Sequence, residues 1–448
     1  MTTRIGLMGP YGYGNLGDAA IQDAMIQQVR SFCPDADIWG FSLNPADTEV
    51  RHGIAAYPLY PGYAPPTPPG TPVASTPFSA WQRLKVTLKR NRVLRPALRA
   101  AAAVRDRLVV VARDLKFSVQ VFRLLRGMDI FVVSGGGQID DTWGGAWRHP
   151  YTMFRWSFLA RAAGARVLVV SVGAGPLRSV LSRLFCRLAL RLAHQRSYRD
   201  AASRVFVNAA LGLGERDAVC PDLAYSVAWS SPPSAPQPEH RPLVAVGPMP
   251  LFDPRSWPDR DAAVYRAYLD RLAALTRWLL GRGYRVAMFG SDGHMDALVI
   301  QDLVGLLSST LSRDELGRVQ SWDVRTVDAL LPLLASARVV IASRYHGVLL
   351  AHRVHTPVLA LSYHPKVQAV MESVGHQRFC LDAHGFALEE FARLFEMMER
   401  DRDVLQRDIV MTVERYRLAI QEQSRVLFAD VARMAAAKTP RPVPAAAS

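Results

Sequence analysis

The chain has 448 residues, half of them hydrophobic, with a formal net charge of +15 and a pI near 10.0. That length gives two or three domains of usual size, and that much apolar material gives a sizeable core. The charge calls for an anionic partner, whether acidic substrate, membrane surface or nucleic acid, and several classes drop out at once. No apolar run approaches the roughly 18 residues of a membrane span. Cys33, Cys186, Cys220 and Cys380 lie far apart with no CxxC pair, which argues against a disulfide framework and a zinc site. No nucleic-acid recognition motif accompanies the charge. The N-terminus runs straight into Ile5–Met8 without a basic-then-apolar leader, so the expected location is the cytoplasm.

In chain order, Arg4–Met8 predicts a first strand, and Gly9-Pro10-Tyr11-Gly12-Tyr13-Gly14-Asn15-Leu16-Gly17-Asp18 follows it before a helix over Ala19–Val29. Glycines ahead of a helix let backbone N–H groups approach a ligand closely. The spacing is neither that of a P-loop nor that of the dinucleotide fingerprint. Ala55–Pro77 is proline-rich and reads as an extended loop. Phe78–Met128 reads as basic helix, with thirteen Lys and Arg against Asp106 and Asp114. Pro96 is expected to break it in two. Leu84, Val86, Leu88, Leu94, Leu98, Val104, Leu108, Val111, Leu115 and Val119 recur among its cations, a pattern suited to an anionic membrane face.

Asp129–Val133 predicts a second strand, ending in Ser134-Gly135-Gly136-Gly137-Gln138 and then Asp140-Asp141. Three glycines at a strand end make a backbone surface for an anion or a sugar. Trp143, Trp147 and Tyr151 offer ring faces, for a sugar or for the core. Further on come a helix over Ser157–Ala163, a strand over Arg166–Ser171, Gly173-Ala174-Gly175-Pro176, a helix over Arg178–Ala193, and Arg199-Asp200 after a short strand. Five prolines within Ser230–Pro242 mark an interdomain linker. The second half repeats the alternation, with strands at Leu243–Val246, Arg285–Phe289 and Val339–Ala342 and helices at Ala262–Leu280 and Val327–Leu334. Strand Val339–Ala342 stops at Ser343-Arg344-Tyr345-His346-Gly347, and a further strand leads to Ser362-Tyr363-His364-Pro365-Lys366. Ligands of open α/β sheets bind beyond the carboxyl ends of strands. Arg344, His346 and Lys366 are therefore expected at one crevice, where they suit a small, multiply charged anion.

The Arg344-Tyr345-His346 triplet with the downstream Ser362–Lys366 segment resembles the polysaccharide pyruvyl transferases. The Gly14-Asn15-Leu16-Gly17-Asp18 run, the Gly135-Gly136-Gly137 element, the glycine-rich turn at Gly173 and the Arg199-Asp200 pair resemble the same family in the right order. The resemblance covers most of Gly6–Gly375 but not Ala55–Met128. It implies two doubly wound Rossmann-like α/β domains facing a cleft, a glycosyltransferase-B-like architecture, here with a basic helical insert. The expected division is an N-terminal domain over 1–230 containing the 55–128 insert, a linker over 231–242, and a second domain over 243–385. C-terminal helices over 386–437 and a disordered tail over 438–448 complete it.

The resemblance also implies transfer of a pyruvyl group from phosphoenolpyruvate to two hydroxyls of a sugar, closing a ketal. The acceptor is then a cell-envelope or extracellular glycan or its lipid-linked precursor. Phosphoenolpyruvate carries a phosphate and a carboxylate, for which Arg344, Arg199 and Lys366 are the candidate anchors. Asn15, Gly17 and Gly135–Gly137 would shape the binding surface. His346 is the candidate acid or base, because imidazole moves protons near neutral pH. Asp18, Asp140 and Asp141 would orient or deprotonate sugar hydroxyls. No cofactor is required and no metal site is indicated, since the histidines from His294 to His384 are not at ligand spacing. A nucleotide-sugar glycosyltransferase of the same architecture is the second reading, and a non-catalytic membrane-associated scaffold of glycan assembly the third. The basic segment would place the protein peripherally on the inner face of an anionic membrane.

Overall fold

A computed structural model describes residues 2–12, 14–63, 95–142, 144–230, 241–257 and 259–437. Residues 64–94, Trp143, most of the proline-rich linker (231–240) and the tail (438–448) lie outside the described residues. Apolar β-branched runs between glycine and proline punctuation fold as two parallel sheets. The first holds β1 (Arg4–Met8), β2 (Asp37–Ser42), β3 (Ala55–Pro58), β4 (Ile130–Ser134), β5 (Arg166–Val172), β6 (Gln195–Tyr198) and β7 (Ala218–Val219). Its order is β3-β2-β1-β4-β5-β6-β7. The second holds β8 (Leu243–Gly247), β9 (Arg285–Phe289), β10 (Val319–Trp322), β11 (Val339–Ala342), β12 (Val358–Ser362) and β13 (Cys380–Asp382), in the order β10-β9-β8-β11-β12-β13. Every pairing is parallel, so helices cover both faces and the central strands β4, β11 and β12 are buried throughout.

Strand order reverses between β1 and β4 in one sheet and between β8 and β11 in the other. Such switch points open the crevices in which α/β sheets bind ligands. The loops after β1, β4 and β11 carry the Gly-Asn-Leu-Gly-Asp run, the triple glycine and the Arg-Tyr-His triplet. The two domains meet at these loops. Leu16 N donates to Ser291 O at 2.8 Å, and Gly293 N donates to Gly14 O at 3.1 Å.

One feature differs from the sequence-based expectation. Residues 55–58 of the proline-rich stretch form the edge strand β3, a place where Pro58 removes no central ladder bond. The expected break at Pro96 concerns residues 64–94 on its N-terminal side, which lie outside the described residues; from Arg95 to Leu125 the chain is helical. Phe117, Val121 and Leu125, one turn apart, are buried against the first domain, and Phe117 meets Tyr57 and Trp156. At the other end of the chain, helix Leu388–Arg400 sets Phe391 and Phe395 on Trp278 of the second domain. Helix Arg402–Ala437 then returns to the first domain, where Gln423 Nε2 donates to Ser171 Oγ at 3.0 Å.

Candidate active site

Asn15 is the N-cap of helix Leu16–Phe32, and its Oδ1 accepts from Gly17 N at 2.9 Å and Asp18 N at 3.3 Å. The cap fixes the first turn, so Asp18 projects from it towards the triple-glycine loop. A Cβ on Gly136 would stand 3.6 Å from Asp18 Oδ1. Gly135 and Gly136 have φ of 50° and 66°, the left-handed region that favours glycine. Gly136 O accepts from Gly173 N at 2.7 Å, which joins this loop to the turn after β5. Gly137 is exposed, with open space above its Cα. Burial, with Asp222 and Asp292 nearby, pushes the Asp18 carboxyl up to about 7, against the pull of Lys366 and Arg199.

His346 lies in the first turn of helix Tyr345–Arg353 and presses on the helix of the other domain. Any Cβ at Gly17 would overlap its ring. That contact is the physical reason for a glycine one residue before Asp18. His346 Nε2 has no hydrogen-bond partner among the described residues, and Asp222 Oδ2 is 3.9 Å away. Burial drives the His346 pKa down to about 4, with Asp222 resisting and Arg199, Lys366 and Arg344 adding to the fall. The imidazole is therefore neutral over the working range.

Arg344 is engaged within its own domain. Its Nε donates to both oxygens of Asp296, at 2.8 and 3.0 Å, and Nη2 donates to Asp296 Oδ1 at 2.6 Å. Asp292 Oδ2 stands 3.5 Å from Nη2. Burial works against the charge, but Asp296 and Asp292 outweigh it and hold the guanidinium's proton well above its ordinary affinity. Asp296 also accepts from Ser291 N and Asp292 N, so the pair fixes the turn after β9. The fork expected for a donor anion is thus largely occupied by protein, with Nη1 outside these bonds. Arg344→Ala should leave Asp296 buried and unpaired, at a cost of about 3–5 kcal/mol. A clear fall in melting temperature is expected, partly recovered by adding Asp296→Asn. An unchanged melt in the single variant would remove Arg344 from the framework.

Arg199 and Lys366 face the cleft differently. The Arg199 guanidinium lies 4.5 Å from the centre of the Tyr345 ring. Its contacts to Asp200 (3.3 Å) and Asp222 (3.6 Å) are long, which leaves donors for a ligand. Burial opposes its charge, and Tyr345, Asp222 and Asp200 more than restore it. Lys366 has no ion pair among the described residues, and its Nζ sits 5.5 Å from the Tyr363 ring centre. Arg199, Asp222, Tyr345 and Lys366 line a cavity of about 440 Å³, closed on one side by Arg415 and Tyr416 of the returning C-terminal helix.

Asp222 sits at the centre of the group, with its side chain 1% exposed. Its Oδ2 takes Tyr345 Oη at 3.4 Å and lies near both Arg199 and His346. Asp222 is not among the residues the sequence marks out. Its one local signal is its place before a short 3-10 turn, where Oδ1 accepts Ala224 N. Asp292 had a turn signal, Gly290-Ser291-Asp292-Gly293, and Asp296 had none.

The remaining candidates divide. Asp140 packs over Gly175, accepts Thr142 N at 2.6 Å, and is close enough across the cleft for its charge to act on His364. Asp141 is buried, and its Oδ2 accepts Arg178 N at 2.9 Å and Ser179 N at 3.2 Å, anchoring helix Val180–Leu192. Burial raises its pKa, but these bonds and the Ser182 hydroxyl outweigh that and leave it lowered. Asp141 thus holds a helix start and does not face the cleft group. Trp147 and Tyr151 pack on Phe185, and Tyr151 Oη donates to Asp114, so they join outer helices. Among the described residues no three His, Cys, Asp or Glu side chains are placed to hold a metal ion.

A family model described as polysaccharide pyruvyl transferase matches residues 15–365, a range that spans the motifs above except Gly14 and Lys366 at its two edges. No curated protein matches the chain. Solved structures match over nearly its whole length. The S. aureus MnaA–UDP co-structure has a TM-score of 0.57 at 10% identity, covering 98% of this chain and 99% of that one. Anabaena Alr3699/HepE in complex with UDP-glucose has a TM-score of 0.54 at 11% identity, covering 96% and 99%. UDP-GlcNAc 2-epimerase from Neisseria meningitidis bound to UDP-GlcNAc has a TM-score of 0.52 at 10% identity, covering 97% and 100%. At these identities the likeness is one of fold: two parallel-sheet α/β domains of glycosyltransferase-B type.

Proposed function

Because the chain belongs to the polysaccharide pyruvyl transferase family, a family of transferases acting in polysaccharide synthesis, we propose that its cleft transfers pyruvyl from phosphoenolpyruvate to two hydroxyls of one sugar. The observation that carries this reading is convergence. Asp18, the triple glycine, Arg199, His346 and Lys366 come from five separate segments, each beyond the carboxyl end of a strand, and converge between the two sheets.

Lys366 and Arg199 supply the positive charge for the donor's phosphate and carboxylate. Asp18, protonated near neutral pH, gives its proton to the methylene carbon. One sugar hydroxyl adds to the adjacent carbon and loses its proton to the neutral His346. The tetrahedral intermediate then expels phosphate, which takes the proton from His346, and the second hydroxyl adds to the resulting oxocarbenium carbon, giving its proton to the Asp18 carboxylate, so that the ring closes and both groups regain their starting protonation. Two groups whose surroundings push their pKa values in opposite directions are a natural acid and base pair. No cofactor enters this scheme. The test is product release. Inorganic phosphate from phosphoenolpyruvate, dependent on a glycan acceptor and accompanied by a pyruvyl ketal in the product's mass, is expected. Nucleotide release from a nucleotide sugar, with phosphoenolpyruvate inert, would replace this reading with glycosyl transfer.

We also propose that the acceptor is met at an anionic membrane. Among the described residues no helix is long and apolar enough to cross one. Helix Arg95–Leu125, however, exposes Leu108, Val109, Val110, Val111 and Leu115, with Arg113 and Lys116 among them. Exposed apolar residues beside cations favour surface binding, each cation contributing about 1 kcal/mol near an anionic face. Because Phe117, Val121 and Leu125 are core residues, removing the whole segment would harm the fold, and point changes are the cleaner probe. Sedimentation with anionic vesicles should weaken as salt rises and fall sharply in a Val109→Asn, Val110→Asn, Val111→Asn variant. Equal binding to neutral and anionic vesicles would sink the idea.

A further inference from the structure

The geometry points to an acceptor-glycan platform on the second domain, a run of aromatic rings leading along its rim into the cleft. This rests on the pyruvyl-transfer reading and adds where the sugar chain lies. The run begins at exposed His384, just after β13. Its ring centre is 5.7 Å from that of Phe252, which is 6.4 Å from Trp257. Trp257 is 5.8 Å from Tyr363, and Tyr363 is 6.0 Å from His364. Phe252, Trp257 and Tyr363 are each half-buried, packed on the core of the second domain but not enclosed by it. At its inner end Lys366 reaches over Tyr363.

These rings come from loops after β8, β12 and β13, the carboxyl edge where ligands bind. The loop after β8 is rigidly built. Asp253, with a wholly buried side chain, accepts from Arg255, and Arg255 also binds Asp302 and the Tyr265 hydroxyl. Trp257 N donates to Asp253 O at 2.9 Å. Phe252 has φ of 59°, a left-handed conformation that a bulky aromatic residue adopts only when its surroundings impose it. Such fixed aromatic faces, with exposed polar edges from His364 and His384, match the apolar faces and hydroxyl rims of successive sugar rings. A polymer lying on this ladder would present its reacting residue to Lys366, Asp140 and His346.

The test uses the full chain with cellotetraose, mannotetraose and galactotetraose, their affinities read by saturation-transfer NMR without donor. At least one should bind the wild type, and Trp257→Ala and Tyr363→Ala should each weaken it by about tenfold or more. Circular dichroism and melting curves identify any variant that fails to fold, and Trp257→Phe, which keeps a ring, should retain most of the affinity. Binding of all three sugars unchanged in both folded variants, or binding of none by the wild type, overturns the platform. Phosphoenolpyruvate titrated calorimetrically into the same samples separates the two ideas. Donor binding that survives Trp257→Ala while sugar binding falls supports both. Ring-dependent sugar binding without any donor binding leaves the platform standing and removes the pyruvyl-transfer reading.

Discussion

His346→Ala should lower turnover by roughly 10²–10⁴-fold while the protein stays folded, because the scheme uses this imidazole to accept a proton from the attacking hydroxyl. The side chain is in position for that role. Its Nε2 is unpartnered among the described residues, its ring is held against Gly17, and its pKa of about 4 keeps it neutral. The depressed pKa also bears on stability. An unfolded histidine takes up a proton below its ordinary value of 6.5, whereas the folded one resists until about 4. The contribution is complete above 6.5 and is lost as pH falls towards 4, so His346→Ala should shrink acid sensitivity in that window. Gly17→Ala offers an independent check. It leaves the imidazole in place chemically but drives a methyl group into it, so turnover should fall severely with little change in donor affinity. A drop of only a few-fold in His346→Ala would make the residue a packing element.

A second large effect is expected at Asp18. With its pKa raised to about 7, Asp18 is the group able to deliver a proton near neutrality, and kcat/KM should decline about tenfold per unit of pH above that value. Asp18→Asn should remove this limb from the pH profile and cost at least about 10²-fold in rate. Its stability should move the other way. Folding raises the carboxyl's pKa from 3.8, so the native state binds more protons than the unfolded one between about pH 4 and 7. Stability from this group is present below pH 4 and is lost as pH rises to 7. Asp18→Asn should therefore melt higher than the wild type at pH 8, and the gain should shrink at pH 5. An equal shift at both values would show that burial is not what perturbs Asp18.

The division between reach and framework among the arginines has a similar origin. Arg344 and Arg199 look alike in sequence, each just after a strand and each in a motif. In the fold, Arg344 meets a carboxylate 48 positions earlier and is spent largely on holding a turn. Arg199 meets only long contacts and an aromatic face, and keeps its donors. Local sequence carries no information about that difference, because it depends on which side chain another loop brings within 3 Å.

What the sequence determined by itself is local and periodic. Short apolar runs specified β1, β4, β8, β11 and β12, since a parallel strand buried on both faces needs a near-continuous apolar run. Glycines marked where the backbone turns left-handed, at Gly135 and Gly136, or where another domain presses, at Gly17. Alternation of strand and helix implied the two doubly wound sheets, and the motif order implied the family. The tertiary structure decided the rest. It placed Asp222 at the centre of the cleft group, used Asp141 to start a helix, and set the C-terminal helix Arg402–Ala437 back against the first domain. It also moved two proton affinities apart, raising that of Asp18 and lowering that of His346. The reason is common to all of these. Burial and charge proximity are sums over atoms distant along the chain, and a carboxyl's proton affinity follows its neighbours in space, which no window of sequence contains.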